Sequence, residues 1–214
     1  VMLAGISHDL RTPLARLRLE AAMSVTDQEA RDYMVADIEQ LDAVINKFMD
    51  YARPDSMKMS VIALSDVVVA SAYPYRNSED IHIHVDVPES LQVYADEVEL
   101  ARVVSNLMEN ARRYGKTPGT EVTELEVHAR MEGSLVHLQV FDHGAGVPED
   151  ILHRLTQPFY RADEARTSAV GSGLGLAIVQ KVVEHMGGTF VLSNRPQGGL
   201  QADVLLHKTA PLRP

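Results

Sequence analysis

The first fifty residues carry two amphipathic helical patterns with only a few residues between them. The first stripe recurs at steps of three and four residues and consists of Leu3, Ile6, Leu10, Leu14, Leu17 and Ala21. The second is a nearly strict heptad and consists of Met34, Ile38, Leu41, Ile45, Phe48 and Ala52. Because the connection around Ser24 and Val25 is so short, the two helices must fold back as an antiparallel hairpin.

The ends of the second helix are marked by local signals. The run Thr26-Asp27-Gln28-Glu29 is typical of a capping box, and Pro54 biases Arg53 away from helix, so we expect the helix to end at Arg53. Two helices alone bury too little apolar surface, so we expect a homodimer in which two hairpins form a four-helix bundle. This defines a dimerisation domain at 1–53 and a polar linker at 54–60.

Beyond the linker the pattern is that of a mixed domain. Helices are predicted over 61–72, 96–114 and 174–185, and strands over 81–87, 91–95, 122–131, 135–141, 189–193 and 199–206. This mixture predicts an α+β sandwich at 61–208, with one sheet and helices on one of its faces. The last residues, 209–214, are expected to form a loose tail.

Charge and composition exclude several classes of protein. A net charge of -10 disfavours binding to a phosphate backbone, so we expect no nucleic-acid partner. The absence of cysteine excludes disulfides and thiolate metal sites. The sequence has no run of eighteen apolar residues but opens within a helical pattern. We therefore expect a fragment, with any membrane segment upstream of it.

His8 has unusual neighbours for a histidine on a helix. A neutral imidazole can attack phosphorus, and the adjacent Asp9 can orient it or take its proton. Thr12 shares the same helix face, and Pro13 lacks an amide hydrogen and crowds the carbonyl of Asp9, so we expect a bend there. A lone histidine of this kind is usually a solvent-exposed residue, but these neighbours favour a phosphoryl acceptor.

A pair of asparagines lies one helical turn apart in the segment 106–114. The carboxamide oxygens of Asn106 and Asn110 are hard ligands that suit Mg²⁺, provided that phosphates and water complete the coordination. Arg113 could reach a phosphate, and Tyr114 could lie against a base or a ribose. Taken alone, the asparagine pair is also typical of a polar helix face.

The second domain contains two glycine-rich loops, at 142–146 and at 171–175. Asp142-His143-Gly144-Ala145-Gly146 follows a strand directly, and the Asp142 carboxylate could accept a hydrogen bond from an exocyclic amine such as that of adenine. Gly171-Ser172-Gly173-Leu174-Gly175 precedes a helix, whose first amides can bind phosphate without a lysine. Each loop alone is also typical of an ordinary turn. The polar stretch 162–170 between them is a candidate lid.

Other nucleotide-binding signatures are missing from the sequence. There is no G-x-x-x-x-G-K-[ST] phosphate loop, and the H-R-D and D-F-G signatures of Ser/Thr kinases are absent. The glycines do not match the dinucleotide fingerprint, and the histidines show no H-E-x-x-H spacing.

Together, and in this order, these segments resemble the catalytic core of bacterial sensor histidine kinases. The stretch 7–14 resembles the H box, 106–114 the N box, 142–146 the G1 box, Pro158-Phe159-Tyr160-Arg161 the F box and 171–176 the G2 box. Within the family, His-Asp-Leu-Arg-Thr-Pro-Leu and Asn-Ala-Arg-Arg-Tyr-Gly are most similar to EnvZ-type osmosensor kinases. The resemblance implies a dimeric helical hairpin followed by an α/β sandwich ATP-binding domain of the GHKL (Bergerat) type.

The resemblance also implies roles for individual residues. His8 would be the phosphorylated residue, Asp9 its general base, and Thr12 the hydroxyl linked to phosphatase activity. Asn110 would bind Mg²⁺ and Asp142 the adenine amine of ATP. The remaining residues implied in nucleotide binding are Asn106, Arg113, Tyr114, Gly144, Gly146, Phe159, Arg161, Gly171, Gly173, Leu174, Gly175 and Leu176.

The resemblance implies a two-component signalling reaction. The γ-phosphoryl group of ATP would pass to His8 and then to an aspartate in the receiver domain of a response regulator, with the linker acting as a hinge. The regulator is expected to dock near Thr12, Arg16 and Leu17. We expect a cytoplasmic domain of an inner-membrane sensor protein. An ATPase that only drives a shape change and a non-enzymatic dimerisation scaffold remain alternatives.

Overall fold

The computed structural model describes residues 2–52, 56–162 and 171–210, with side chains from Leu10 onward. Helices α1 (Met2–Ser24) and α2 (Gln28–Tyr51) form the expected antiparallel hairpin. Helix α1 continues through Pro13. No helix in these ranges is both long enough and apolar enough to cross a membrane.

Helix α2 begins one residue later than the capping box with Thr26 as its first residue predicted, and it ends earlier than expected. Asp27 is the N-cap, and its side chain accepts a hydrogen bond of 2.8 Å from the amide of Ala30. The last helical residue is Tyr51 and the C-cap is Ala52, whereas the sequence predicted an end at Arg53, which lies outside the described residues. Side chains from the second domain bind the final carbonyls of α2.

The hairpin is held together at its surface more than in its interior. Arg18 forms an ion pair of 3.2 Å with Glu39, and Arg11 contacts both Asp42 and Asn46 across the two helices. Among the hairpin side chains from Leu10 to Ala52, only that of Ala21 is buried.

The second domain begins with a strand where the sequence predicted a helix. Strand β1 (Ser60–Ala63) pairs antiparallel with β3 (Gln92–Ala95), and helix α3 (Leu64–Ala72) starts only after it. The prediction of one helix over 61–72 was therefore wrong for its first three residues. Val61 and Ile62 are β-branched and lie opposite Tyr94 and Val93, so pairing with β3 overrides the helical pattern.

The main sheet has five strands and closely follows the predicted positions. The strands are β2 (Ile81–Asp86), β4 (Thr123–Glu132), β5 (Leu135–Asp142), β6 (Thr189–Asn194) and β7 (Leu200–His207), in the spatial order β2-β4-β5-β7-β6. All neighbours are antiparallel except β2 and β4, which are parallel. Two further helices, α4 (Glu97–Tyr114) and α5 (Gly175–His185), complete the domain.

The helices cover one face of this sheet, as the sequence predicted, but the expectation of a single sheet was wrong because β1 and β3 pair as a separate two-stranded sheet. Alternate strand residues such as Leu125, Val127 and Leu138 point into the core, where they join Leu100 of α4 and Ile178 of α5. The opposite face is polar and carries His82, His84, Glu124, Glu126 and Asp203. The same layering places the end of β5, the end of α4 and the start of α5 side by side.

Candidate nucleotide-binding site

Asp142 ends β5 as a buried carboxylate held by the backbone. Its Oδ1 atom accepts hydrogen bonds from the amides of Gly144 at 2.8 Å and Leu200 at 3.1 Å. Burial raises the pKa of this carboxyl above its ordinary value, and the two amide hydrogen bonds act in the opposite direction. Since neither of these bonds uses Oδ2, the geometry suits a carboxylate that accepts a further hydrogen bond from a ligand.

The two asparagines of α4 face the same region of the domain. Asn106 is buried. Its side-chain Nδ2 donates to the carbonyl of Arg102 at 2.7 Å, and its Oδ1 accepts from Lys47 Nζ at 3.2 Å. Asn110 lines a small cavity together with Asp142 and Leu176. A Cβ added to Gly175 would lie 3.4 Å from Asn106 Oδ1, so the second glycine loop lies against Asn106.

Close contacts of glycines join α4 to both glycine loops. A Cβ on Gly115, the residue after α4, would lie 2.6 Å from the Cβ of Asp142, and one on Gly144 would lie 2.9 Å from the Gly115 Cα. A Cβ on Gly171 would meet the hydroxyl of Tyr114. Larger residues at Gly115 and Gly144 would push the first loop away from the end of α4, whereas at Gly171 the Tyr114 side chain could move aside.

Phe159 is fixed between the second glycine loop and the hairpin. Its backbone is in the left-handed region, with a φ of 65°, and its amide donates to the carbonyl of Gly173 at 2.9 Å. Its ring stacks on that of Phe48 in α2, with 6.3 Å between centroids. The neighbouring Arg161 is exposed, and residues 163–170 of the predicted lid lie outside the described ranges.

Arg113 and Tyr114 lie at the surface beside this region. Arg113 Nε is 2.7 Å from Glu109 Oε1 in an ion pair one helical turn back, and Tyr114 is 55% exposed. Leu174 is fully buried at the N-cap of α5, and Leu176 is buried in its first turn. The structure thus brings most of the predicted nucleotide-binding residues to one place, while their contacts with a ligand stay predictions.

The predicted acceptor is placed only by its backbone. His8 and Asp9 lie within α1, but their side chains lie outside the described part of the chain. Thr12, one turn further on, is exposed. The roles predicted for these three residues stay predictions.

The end of α2 contacts the nucleotide region, and the sequence did not predict this. Arg102 Nη2 donates to the carbonyl of Asp50 at 2.6 Å, and Lys181 Nζ donates to that of Tyr51 at 3.0 Å. Both cations lie at the C-terminal end of α2, where positive charge suits the negative end of the helix dipole. The heptad pattern assigned Phe48 to the bundle and carries no signal for its contact with Phe159.

The turn between β6 and β7 also contacts the Asp142 loop, and its residues were missing from the predicted site. Asn194, Arg195 and Leu200 each form hydrogen bonds with residues between Asp142 and Val147. The adjacent glycines Gly198 and Gly199 were the available signal, because such pairs permit close backbone approach.

Comparison with known families covers both domains of the chain. Residues 1–56 match the His Kinase A (phospho-acceptor) domain. Residues 95–210 match the histidine kinase-, DNA gyrase B- and HSP90-like ATPase family. The chain therefore belongs to the histidine kinases, with a phospho-acceptor domain followed by an ATP-binding domain.

Relatives agree with this assignment and with the expected subgroup. The signal transduction histidine-protein kinase/phosphatase MprB of Mycobacterium avium is 31% identical over 229 residues, which cover 100% of this chain and 43% of MprB. The signal transduction histidine-protein kinase BaeS of Escherichia coli is 31% identical over 219 residues, covering 95% of this chain and 46% of BaeS. The similarity to EnvZ-type sensor kinases is thereby confirmed, and the chain spans less than half the length of these relatives.

Solved structures confirm the fold. Full-length ShkA in complex with AMPPNP has a TM-score of 0.73 and 23% identity, covering 98% of this chain and 46% of that protein. The mycobacterial sensor histidine kinase MprB has a TM-score of 0.59 and 28% identity, covering 70% of this chain and 97% of that structure. The predicted hairpin followed by an ATP-binding α/β domain is therefore correct.

Proposed function

We propose that this chain is the catalytic core of a two-component sensor kinase that phosphorylates His8 with ATP. The observation that supports this most strongly is the meeting of α4, the Asp142 loop and the 171–175 loop in an ATPase-type domain joined to a hairpin that contains His8. An imidazole nitrogen attacks the γ-phosphorus, Asp9 takes the imidazole proton, and the bond to the bridging oxygen breaks to release ADP. The phosphoryl group then passes to an aspartate of a response regulator.

The residues of the ATP-binding domain have distinct roles in this proposal. Asp142 accepts a hydrogen bond from the adenine amine, and its fixed position supports this because backbone amides hold one of its oxygens. Amides of the 171–175 loop and of the first turn of α5 hold phosphates at the positive end of the helix. Arg113 and Tyr114, at the end of α4, border the nucleotide.

Mg²⁺ would depend on an asparagine and on the phosphates. In the described residues no group of three or more His, Cys, Asp or Glu side chains could hold a metal ion. The carboxamide oxygen of Asn110 fits a hard cation that keeps most of its ligands as phosphate and water. Asn106 Oδ1 already accepts from Lys47, which favours Asn110 as the ligand. When bound, the cation neutralises charge on the transferring phosphoryl group.

The acceptor assignment is tested by labelling with γ-labelled ATP and Mg²⁺. We expect acid-labile, base-stable label on the wild-type protein and its loss in His8→Gln, with ATP affinity unchanged. His82→Gln is the matched control, because it removes an exposed histidine from the polar face of the sheet. Label that persists in His8→Gln would reject His8 as the acceptor. ATP hydrolysis without any labelled protein would favour a simple ATPase instead.

The exposed apolar stripe of the hairpin supports a homodimer. Leu10, Leu17 and Leu41 are 42%, 47% and 52% exposed in the single chain, as expected of side chains that a second copy covers. Leu41→Glu places a charge on this stripe and should weaken the dimer by at least about tenfold in sedimentation experiments, since burying an unpaired charge is costly. An unchanged dimer would show that another surface forms it.

We also propose that the core removes the phosphoryl group from its regulator. Thr12 is exposed on α1, where its hydroxyl can place a water near a docked receiver domain, and Arg16 and Leu17 lie one turn further on. The relative MprB is named a kinase/phosphatase, which agrees with this. Thr12→Ala should slow dephosphorylation of the regulator and leave labelling of His8 intact. Equal loss of both activities would mean that Thr12 acts in folding or in acceptor geometry.

A further inference from the structure

We propose that Asn194 is a positioning residue for adenine selectivity, acting together with the turn that joins β6 and β7. This turn fixes both ends of the Asp142–Val147 loop, and the loop presents the Asp142 carboxylate to the base. The inference rests on the proposed role of Asp142 as the acceptor for the adenine amine.

The Asn194 side chain hydrogen-bonds both the amide and the carbonyl of Val147, at the far end of the loop. Its Oδ1 accepts from the amide of Val147 at 3.0 Å, and its Nδ2 donates to the carbonyl of Val147 at 2.6 Å and to Glu149 Oε1 at 3.0 Å. Gly146 leaves room for this contact, because a Cβ there would lie 2.7 Å from Asn194 Oδ1. One carboxamide thus uses its acceptor and its donors on the loop and the residues that follow it.

The near end of the loop is held from the same turn. Gly199 has a φ of 97° and approaches so closely that an added Cβ would collide with the carbonyl of Asp142. This approach brings the Leu200 amide to 3.1 Å from Asp142 Oδ1. Arg195 Nη1 donates to the Asp142 carbonyl at 3.1 Å, and its guanidinium lies 4.0 Å from the centroid of the Phe141 ring.

The turn itself is closed by its own backbone. The Arg195 amide donates to the Gly199 carbonyl, and the Gly198 amide donates to the Arg195 carbonyl, both at 3.0 Å. Residues 194 to 200 therefore form a hydrogen-bonded turn that contacts both Asp142 and Val147. A loop fixed at both ends keeps its carboxylate in one position, whereas a loop released at Val147 lets it shift.

The position of the Asp142 carboxylate matters because adenine and guanine differ in the hydrogen-bonding group that faces it. Adenine presents an amine donor where guanine presents a carbonyl, and a fixed carboxylate accepts from the first and repels the second. When the loop is loosened, ATP loses the alignment of this bond, while GTP has no such bond to lose. Selectivity should therefore fall mainly through weaker ATP binding.

The test compares binding of ATP and GTP, measured by calorimetry, in Asn194→Ala and wild type. We expect the Kd of ATP to rise roughly five- to tenfold, the loss of about one hydrogen bond, with little change for GTP. The KM for ATP in His8 labelling should rise by a similar factor, while the rate at saturating ATP stays near wild type. Hydrogen exchange across 143–148 should also become faster in the nucleotide-free protein.

Two further variants separate the explanations. Gln201→Ala is the matched control, since it removes a side-chain amide that bonds Asp203 two residues further along the same strand β7, and it should leave both affinities unchanged. Asn194→Asp keeps the acceptor for the Val147 amide and loses the donor, so it tests the same point if the alanine variant folds poorly. An unchanged ratio of ATP to GTP affinity in both Asn194 variants overturns the inference.

A parallel measurement on Asp142→Asn distinguishes this inference from the proposed function. If Asp142→Asn abolishes the preference for ATP while the Asn194 variants keep it, only the positioning role is wrong. If Asp142→Asn keeps the preference, the assignment of Asp142 to the adenine amine fails, and the positioning role fails with it.

Discussion

The hairpin and the ATP-binding domain are stabilised in different ways. From Leu10 to Ala52 the hairpin buries only Ala21, whereas the second domain has a continuous core that includes Val68, Leu100 and Val204. Hydrophobic burial is the main stabilising contribution in small domains. The second domain can therefore fold on its own core, while the hairpin needs another surface to cover its apolar stripe.

Two surfaces could cover the hairpin, and each contacts a different part of it. The end of α2 contacts α4 and α5 through the carbonyls that Arg102 and Lys181 bind, and its Phe48 stacks on Phe159 in the segment before α5. The stripe around Leu17 and Leu41 stays exposed in the single chain and is left for a second copy. The hairpin is thus tied at one end to the domain that supplies ATP.

The largest expected effect comes from truncating the core of the ATP-binding domain. Leu100 is fully buried, so Leu100→Ala should lower the free energy of unfolding by about 2–5 kcal/mol through lost burial and the cavity it leaves. Chemical denaturation followed by circular dichroism measures this. Leu41→Ala is the matched control, since Leu41 is 52% exposed, and at low protein concentration it should change the value by less than about 1 kcal/mol.

Equal losses from these two substitutions would contradict the comparison. They would mean that the hairpin and the ATP-binding domain unfold as one unit, with the hairpin stripe already covered in the monomer. In that case dilution should not alter the stability of the Leu41 variant.

A smaller effect is expected where the two regions meet. Phe48 and Phe159 stack with 6.3 Å between centroids and an interplanar angle of 26°. A double-mutant cycle with alanine at both positions should give a coupling of about 0.5–1.5 kcal/mol, typical of an aromatic pair. The cycle of Tyr33 with Phe159 is the control, because Tyr33 is 66% exposed on α2 and has no such stack among the described contacts. A coupling near zero for Phe48 would show that this stack does not hold the two domains together in solution.

The same contrast explains which features were predictable from the sequence. The helix α4, the strand β2 and the two glycine loops follow from local signals, and all of them appear close to where they were expected. The contacts of Lys47 with Asn106 and of Asn194 with Val147 join positions 59 and 47 residues apart. No local pattern encodes such pairs, because they depend on how the elements pack.

The strand at Ser60–Ala63 was missed for a related reason. Its residues continue a helical spacing into α3, and their conformation is decided by pairing with β3, which lies about thirty residues later. Likewise, the heptad correctly predicted α2 as a helix but not that Phe48 would face Phe159. The local sequence determines that this segment is a helix, but it does not determine which residues its faces contact.

The smallest expected effect concerns one surface ion pair in each region. In the ATP-binding domain Arg112 Nε lies 2.7 Å from Asp80 Oδ2, and these side chains are 40% and 45% exposed. In the hairpin Arg18 lies 3.2 Å from Glu39, and both side chains are more than half exposed. The hydrogen bond from Arg112 lowers the pKa of Asp80 below its ordinary value. Because the folded state holds the lower pKa, this pair stabilises the protein above the unfolded pKa, and the contribution disappears as the pH falls through the folded pKa. Solvent screening keeps it below about 1 kcal/mol.

Asp80→Asn should therefore lower the free energy of unfolding slightly at pH 7, and the difference from wild type should vanish in acid, below the range near pH 4 where an ordinary aspartate titrates. Denaturation of both proteins across pH 3–7 at low salt measures it, and added salt should reduce it. Glu39→Gln, the hairpin counterpart, should cost less, since its pair joins two exposed helices with little core to hold them in register. A larger loss for Glu39→Gln than for Asp80→Asn would reverse the comparison, because the hairpin would then depend on its surface charges more than the ATP-binding domain does.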